Sequence, residues 1–153
     1  VARASHRLDL ICAPPDGLAL DLARPLAAAW ARRDPGALVQ GGFRALAVDD
    51  PGHRVIYANG LGGVQVRCPT CGAPLARAWA AAAERWRGGG PDALGCGGCG
   101  EALTLRGART RPPACPGTWA LVLREVEDAA LRPEARAELE ALAPGWTEVL
   151  RRG

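Results

Sequence analysis

The sequence predicts an α+β fold: a small antiparallel-rich sheet with helices on one face, carrying an inserted four-cysteine metal module that contains its own helix. Three observations lead there. Short apolar runs at His6–Cys12, Phe43–Val48, Arg54–Ala58 and Trp119–Val126 have strand length and are bounded by Pro, Gly and Asp. Apolar residues recur at helical spacing between Leu18 and Trp30 and between Ala135 and Leu142. Two matched C-x-x-C-G turns, Cys68–Gly72 and Cys96–Gly100, lie in the middle of the chain. With 153 residues, 48% of them hydrophobic, the chain can bury one core and hold an insertion. Residues 1–66 read as a β-α-β-β part, 67–105 as the metal module and 106–153 as a strand–helix part that completes the sheet.

The elements follow in chain order. His6 to Cys12 alternates in part and reads as a strand that Pro14-Pro15-Asp16-Gly17 ends. Leu18, Leu22, Leu26 and Trp30 fall on one helical stripe. Pro25 suits a first helical turn, so the regular helix is expected to start near residues 21–25. Asp34-Pro35-Gly36 stops it. Phe43–Val48 and Arg54–Ala58 flank Asp49-Asp50-Pro51-Gly52, strong turn chemistry that predicts a hairpin between them. Val64–Arg67 carries the chain into the first C-x-x-C.

Leu75, Trp79, Ala82, Ala83 and Trp86 share a helical face within an alanine-rich run of high helix propensity. Gly88-Gly89-Gly90-Pro91 ends that helix. Glu101–Leu105 reads as a short strand, and residues 106–117, rich in Arg, Pro and Gly, as a loop. Trp119–Val126 is a buried strand. Pro133 and Glu134 open a last helix, with proline at its first turn and an acid beside it. For Trp146–Leu150, periodicity leaves a helical turn and a closing strand both open.

The paired cysteines carry the chemistry. Twenty-four residues separate Cys71 from Cys96. Each C-x-x-C turn offers two thiolates from neighbouring points of the backbone, and two such turns complete a tetrahedron around a soft ion. The glycine after each pair suits a backbone that turns to positive φ, where a Cβ is costly. Pro69 stiffens the first turn, while Gly97 and Gly98 loosen the second. The expected ligands are Cys68, Cys71, Cys96 and Cys99, and the expected ion is one structural Zn2+. Iron is the alternative, because thiolate type and tetrahedral geometry do not separate the two. Four protein ligands leave no open position for water, which argues against a zinc hydrolase.

This pattern resembles the zinc-ribbon superfamily, whose knuckles read C-P-x-C-G or close to it. The resemblance covers about residues 64–105. The first knuckle matches fully, and the second has Gly97 where the proline would stand. The chain is also similar to bacterial proteins with a helix between the knuckles and a strand and helix after them. The resemblance implies a metal-bound ribbon and transfers no activity. Rubredoxin also uses two C-x-x-C-G turns, which keeps an iron electron carrier as an alternative.

Other residues have bland readings. Asp49, Asp50 and His53 form an acid-rich cluster in sequence, yet they sit where a tight turn wants Asp, Pro and Gly. His6 reads as a surface residue, Cys12 as core and Cys115 as a loop thiol. A Cys12–Cys115 disulfide and a cysteine nucleophile paired with His6 or His53 are minor readings. Ser5 is the only serine, so no G-x-S-x-G elbow exists, and the absence of lysine removes Walker A loops and Schiff-base chemistry.

All 19 basic residues are arginine, which a GC-rich genome explains, and the net charge of +3 permits nucleic acid without arguing for it. Arg77, Arg85 and Arg87 lie on the inter-knuckle helix, and Arg106, Arg109 and Arg111 follow the second knuckle. With Trp79 or Trp86 they form a candidate face for phosphates and stacked bases. The two tryptophans share the apolar helix face, however, which favours core. No apolar run approaches the ~20 residues of a membrane span. Metal-spaced thiols without a secretion signal point to a reducing cytoplasm. The leading expectation is a non-catalytic cytoplasmic zinc-binding protein that meets a protein partner. The alternatives are a nucleic-acid-binding zinc ribbon and a rubredoxin-like iron electron carrier.

Overall fold

The computed structural model describes residues 7–152. His6 lies outside the described residues. The described residues form an α+β mixture of four helices and small antiparallel sheets. Its main sheet has four strands: β1 (Leu8–Ala13), β2 (Ala45–Asp49), β9 (Ala120–Arg124) and β10 (Thr147–Arg152), in the order β10-β1-β9-β2. Strand β1 pairs with β10 from Leu8↔Arg152 to Ala13↔Thr147, and with β9 from Leu10↔Leu123 to Cys12↔Leu121. Residues 147–150 of the segment left open from sequence are therefore the start of a closing strand.

Side-chain alternation divides the sheet into two buried faces. Leu10, Cys12, Leu121 and Leu123 face α1 (Leu20–Ala31), α2 (Pro35–Leu38) and α4 (Pro133–Leu142). Trp30 is fully buried at the centre of this layer and donates its indole N–H to Glu138 Oε2 at 3.1 Å. Trp119 and Trp146 meet edge-on beside it, with ring centroids 5.9 Å apart. Ile11, Ala13, Ala120, Val122 and Val149 point the other way, toward Val55, Tyr57 and Cys115.

The α1 stripe differs from the sequence expectation. Ala23, Ala27 and Trp30 are its buried face, and Leu22 is 61% exposed. Pro25 sits inside the helix, past the first turn. Leu18, Leu26 and Trp30 of the expected stripe do pack on this core, and the small side chains of Ala23 and Ala27 let the helix approach the sheet where Leu22 points to solvent.

The expected hairpin is also corrected. β2 does not pair with β3 (Val55–Tyr57). β2 pairs with β9 from Ala45↔Arg124 to Asp49↔Ala120, and β3 pairs with β8 (Cys115–Gly117). The reason lies in β9, whose residues Ala120 to Leu123 are all buried. A strand buried on both faces needs a hydrogen-bonded neighbour on each side and a cover on each face. β2 supplies the neighbour, and β3, through Val55 and Tyr57, supplies the cover. Tyr57 keeps its link to the turn by donating its hydroxyl to Asp49 Oδ2 at 2.8 Å.

Residues 106–117 are not a loop throughout. They hold β7 (Arg109–Arg111) and β8, and β7 pairs with β4 (Gln65–Arg67). Strands of three residues rich in Arg and Pro carry too little alternation to be read from composition.

A second core surrounds α3 (Ala76–Arg87), the helix between the knuckles. Leu75, Trp79, Ala82 and Ala83 are buried there and Trp86 is half-buried, as the stripe predicts. Val66, Leu94 and Leu105 pack against them, and Trp79 donates its indole N–H to Leu105 O at 2.9 Å. Two arginines tie this region to the rest of the chain. Arg54 donates to Trp86 O at 2.7 Å and Gly90 O at 2.8 Å, with its guanidinium 5.2 Å from the Trp86 ring centroid. Arg106 donates to Pro14 O at 2.6 Å, Pro116 O at 3.1 Å and Gly145 O at 3.2 Å.

Candidate metal centre

The two knuckles are built alike. In the first, the Cys68 N–H donates to Ala73 O at 2.9 Å and the Gly72 N–H to Cys68 O at 2.9 Å. In the second, the Cys96 N–H donates to Glu101 O at 2.9 Å and the Gly100 N–H to Cys96 O at 2.8 Å. β4 leads into the first knuckle. β5 (Ala93–Gly95) leads into the second and pairs with β6 (Ala102–Thr104), which leaves it. The first cysteine of each pair is buried, Cys68 at 1% and Cys96 at 3% exposure, and the second is exposed.

Gly72 and Gly100 have φ of +75° and +76° with open space where a Cβ would stand. Conformation, not crowding, requires glycine there. Gly98 is different. A Cβ on it would lie 3.1 Å from Ala73 Cβ and 3.4 Å from Cys71 Sγ. Gly98 therefore lets the knuckles close on each other, where composition alone reads it as loosening the turn.

The four sulfurs converge. Cys68 Sγ lies 3.8 Å from Cys99 Sγ, Cys71 Sγ lies 3.5 Å from Cys96 Sγ, and all four fall within 4.8 Å of one another. A tetrahedron with Zn–S bonds of ~2.3 Å has S···S edges of about 3.8 Å. The cross-knuckle spacing is that of ligands to a shared ion and too long for disulfides, which need ~2.05 Å. All six cysteines are free thiols. The donor set and spacing fit a metal ion.

Backbone donors set the local electrostatics. The Cys71 N–H holds the Cys68 thiol down at about 7, against burial. The Cys99 and Gly98 N–H groups lower Cys96, and Gly98 N lies 3.4 Å from Cys96 Sγ. Cys99 receives the Glu101 N–H, which lowers it, yet desolvation of its sulfur against the other knuckle and the neighbouring thiols push it up to about 12. Cys71 receives the Ala73 N–H and is likewise raised on balance, Cys96 being the chief opposing group. Four thiols this close cannot all ionise without a cation among them.

The remaining candidates separate. Cys12 packs on the helix side of the sheet and Cys115 on the other side, so the two cannot meet. Burial raises both thiols above their ordinary value, which makes them poor nucleophiles. His53 is exposed, with Nδ1 3.2 Å from Arg54 O, and Asp49 holds Tyr57. Among the described residues, only the four knuckle cysteines form a metal-binding group.

The six candidate arginines do not form one face. Arg77 and Arg85 are exposed on α3, and Arg87 pairs with Glu84 at 2.8 Å. Arg106 is turned inward, bound to three carbonyls, with Nε 3.5 Å from Asp16 Oδ1. Arg109 and Arg111 are exposed on β7, opposite Arg67 and Gln65. Trp79 is buried, and Arg54 stands over Trp86. Arg54 escaped the sequence reading, since its Arg-Val-Ile context signals only a strand. Arg67 escaped too, although its place directly before Cys68 was a usable signal.

An α+β chain with a convergent tetrathiolate group is the class that fold and site define. Comparison with known proteins finds no matching family model, no matching curated protein and no matching solved structure. No helix among the described residues is long and apolar enough to cross a membrane.

Proposed function

We propose that this protein is a non-catalytic zinc scaffold of the cytoplasm, in which one structural Zn2+ on Cys68, Cys71, Cys96 and Cys99 fixes the region around α3 and presents its surface to a macromolecular partner. The observation that carries the reading is the convergence of four sulfurs from two knuckles of the same construction, with separations of 3.5 Å and 3.8 Å across them. A four-thiolate shell leaves zinc no position for water or substrate, which supports structure over hydrolysis. Both free thiols outside the shell are buried and unreactive, which supports the absence of thiol catalysis.

Metal analysis with an absorption spectrum tests the reading. The expected result is one zinc per chain and no visible absorption. A red protein with ferric tetrathiolate bands would establish the iron carrier instead. Cys68→Ser and Cys96→Ala should each lose the metal and loosen α3. Full zinc stoichiometry in either variant would overturn the ligand set.

A further inference from the structure

The β4–β7 ribbon carries a feature that the metal does not explain. Its register sets Gln65 opposite Arg111 and Arg67 opposite Arg109. Directly opposed residues share a face, so these four side chains stand together, while Val66 is buried beneath them. All four are exposed, and together they line a groove of about 210 Å³. Like charges directly opposite each other on paired strands are destabilising. Arg67 and Arg109 make such a pair, with Arg111 two residues further along. Among the described residues, no carboxylate pairs with Arg67, Arg109 or Arg111.

One of the three arginines has a local backbone contact. Arg67 adjoins Cys68 and donates to Gly72 O at 3.0 Å, so it belongs partly to the first knuckle. Arg111 is opposite Gln65, at the end of the ribbon away from the knuckle.

From this face we infer that Arg67, Arg109 and Arg111 bind the phosphates of a nucleic-acid backbone. The inference rests on the scaffold reading, because β4 runs straight into the first knuckle. Three points select this ligand. Arg109 and Arg111 are about 7 Å apart along the strand, a spacing that suits successive phosphates better than one small anion. Guanidinium forks match phosphate oxygens, and Gln65 adds a neutral donor and acceptor at the corner. The plate is exposed, and a lone small anion gains little there, whereas a polyanion gains by releasing counterions. Binding reads the backbone and not the bases. Trp79 is buried and Arg54 stands over Trp86, so neither ring offers a stacking platform.

The test uses the full chain with its metal and a short labelled thymidylate oligonucleotide, followed by anisotropy over a series of salt concentrations. Wild type should bind at low salt, with an equal preference for other base compositions. The double variant Arg109→Gln/Arg111→Gln should bind at least ~10-fold more weakly and lower the salt slope by about 1.5, since each phosphate contact contributes ~0.7–0.9. Arg85→Gln on α3 should change neither quantity. Metal content and circular dichroism of each variant show that it is folded.

Four results would overturn the inference: no oligonucleotide binding by the zinc-loaded chain, an unchanged slope in the double variant, inorganic phosphate bound as tightly as the oligonucleotide, or binding to anionic phosphatidylserine vesicles in its place. The scaffold reading would survive any of these. A wild-type chain that holds no metal would sink the scaffold reading, and this inference with it.

Discussion

Gly72 and Gly100 occupy the same point of the two knuckles, each in the left-handed region with nothing around the missing Cβ. An L side chain there costs ~1–2 kcal/mol in backbone strain and nothing in packing. Gly72→Ala and Gly100→Ala should therefore each weaken metal binding about tenfold, by competition with a zinc chelator, and leave the secondary structure unchanged. Gly98→Ala acts through space instead, since its Cβ would press on Ala73 and Cys71 Sγ. Of the knuckle residues, the four cysteines and the two trailing glycines were legible because spacing and positive φ are local properties. Gly98 was not, because its contact partner belongs to the other knuckle. A second residue-scale case is Glu138. Arg33 and the Trp30 indole bond its carboxylate and hold its pKa below the ordinary value, against partial burial. A depressed carboxyl pKa stabilises the fold above the ordinary value of 4.5, and the effect is lost as pH falls through the folded value. Glu138→Gln should cost about 1 kcal/mol at neutral pH. Its urea midpoint should converge on that of wild type in acid, and a constant difference at every pH would contradict this account.

Helices were the elements most legible in the sequence, and short strands the least. The α3 stripe could be read because Leu75, Trp79, Ala82 and Ala83 are large or buried at one period. The α1 stripe was legible in Leu18, Leu26 and Trp30 but not in Ala23 and Ala27, which periodicity cannot tell from surface alanines. The hairpin between Val48 and Arg54 failed for a non-local reason. The turn chemistry is present, but β9 competes for β2, and the uncovered sheet face claims β3. Pairing of β4 with β7 joins segments far apart in the chain and leaves no local trace. How elements are joined matters as much as where they are. Arg54 links the approach to β3 with the end of α3 through two carbonyls and the Trp86 face. Arg54→Ala should destabilise the protein by about 2 kcal/mol. Arg54→Lys should recover only part of that, because one ammonium cannot reproduce a planar fork over a ring. Equal midpoints for the two variants in chemical denaturation would show that the fork geometry does not matter.

The molecule keeps its apolar residues in separate clusters. Leu10, Trp30, Leu121 and Leu139 belong to the layer between the main sheet and its helices, while Cys68, Trp79, Ala82 and Cys96 belong to the cluster at the knuckles. No thiolate of the metal group lies in the first cluster. The main sheet is closed by its own ladders, with β1 paired on both sides. The strands of the knuckle region have only three residues each, and isolated two-stranded ladders of that length are marginal in water. On the scaffold reading, a bound ion joins the apolar cluster around α3 in ordering this region. Removal of zinc by a chelator should abolish amide protection in β4, α3, β5, β6 and β7. Protection in β1, β9 and β10 should persist, apart from the loss of the Arg54 and Arg106 ties. Hydrogen exchange resolved by segment reads this directly, and restoring zinc should restore the pattern, since metal-binding free energy here is local folding free energy. Simultaneous loss of protection across the main sheet would mean that the ion holds the entire fold and not the knuckle cluster alone. Unchanged protection around α3 would mean that the four cysteines, however well placed, are not what holds that region together.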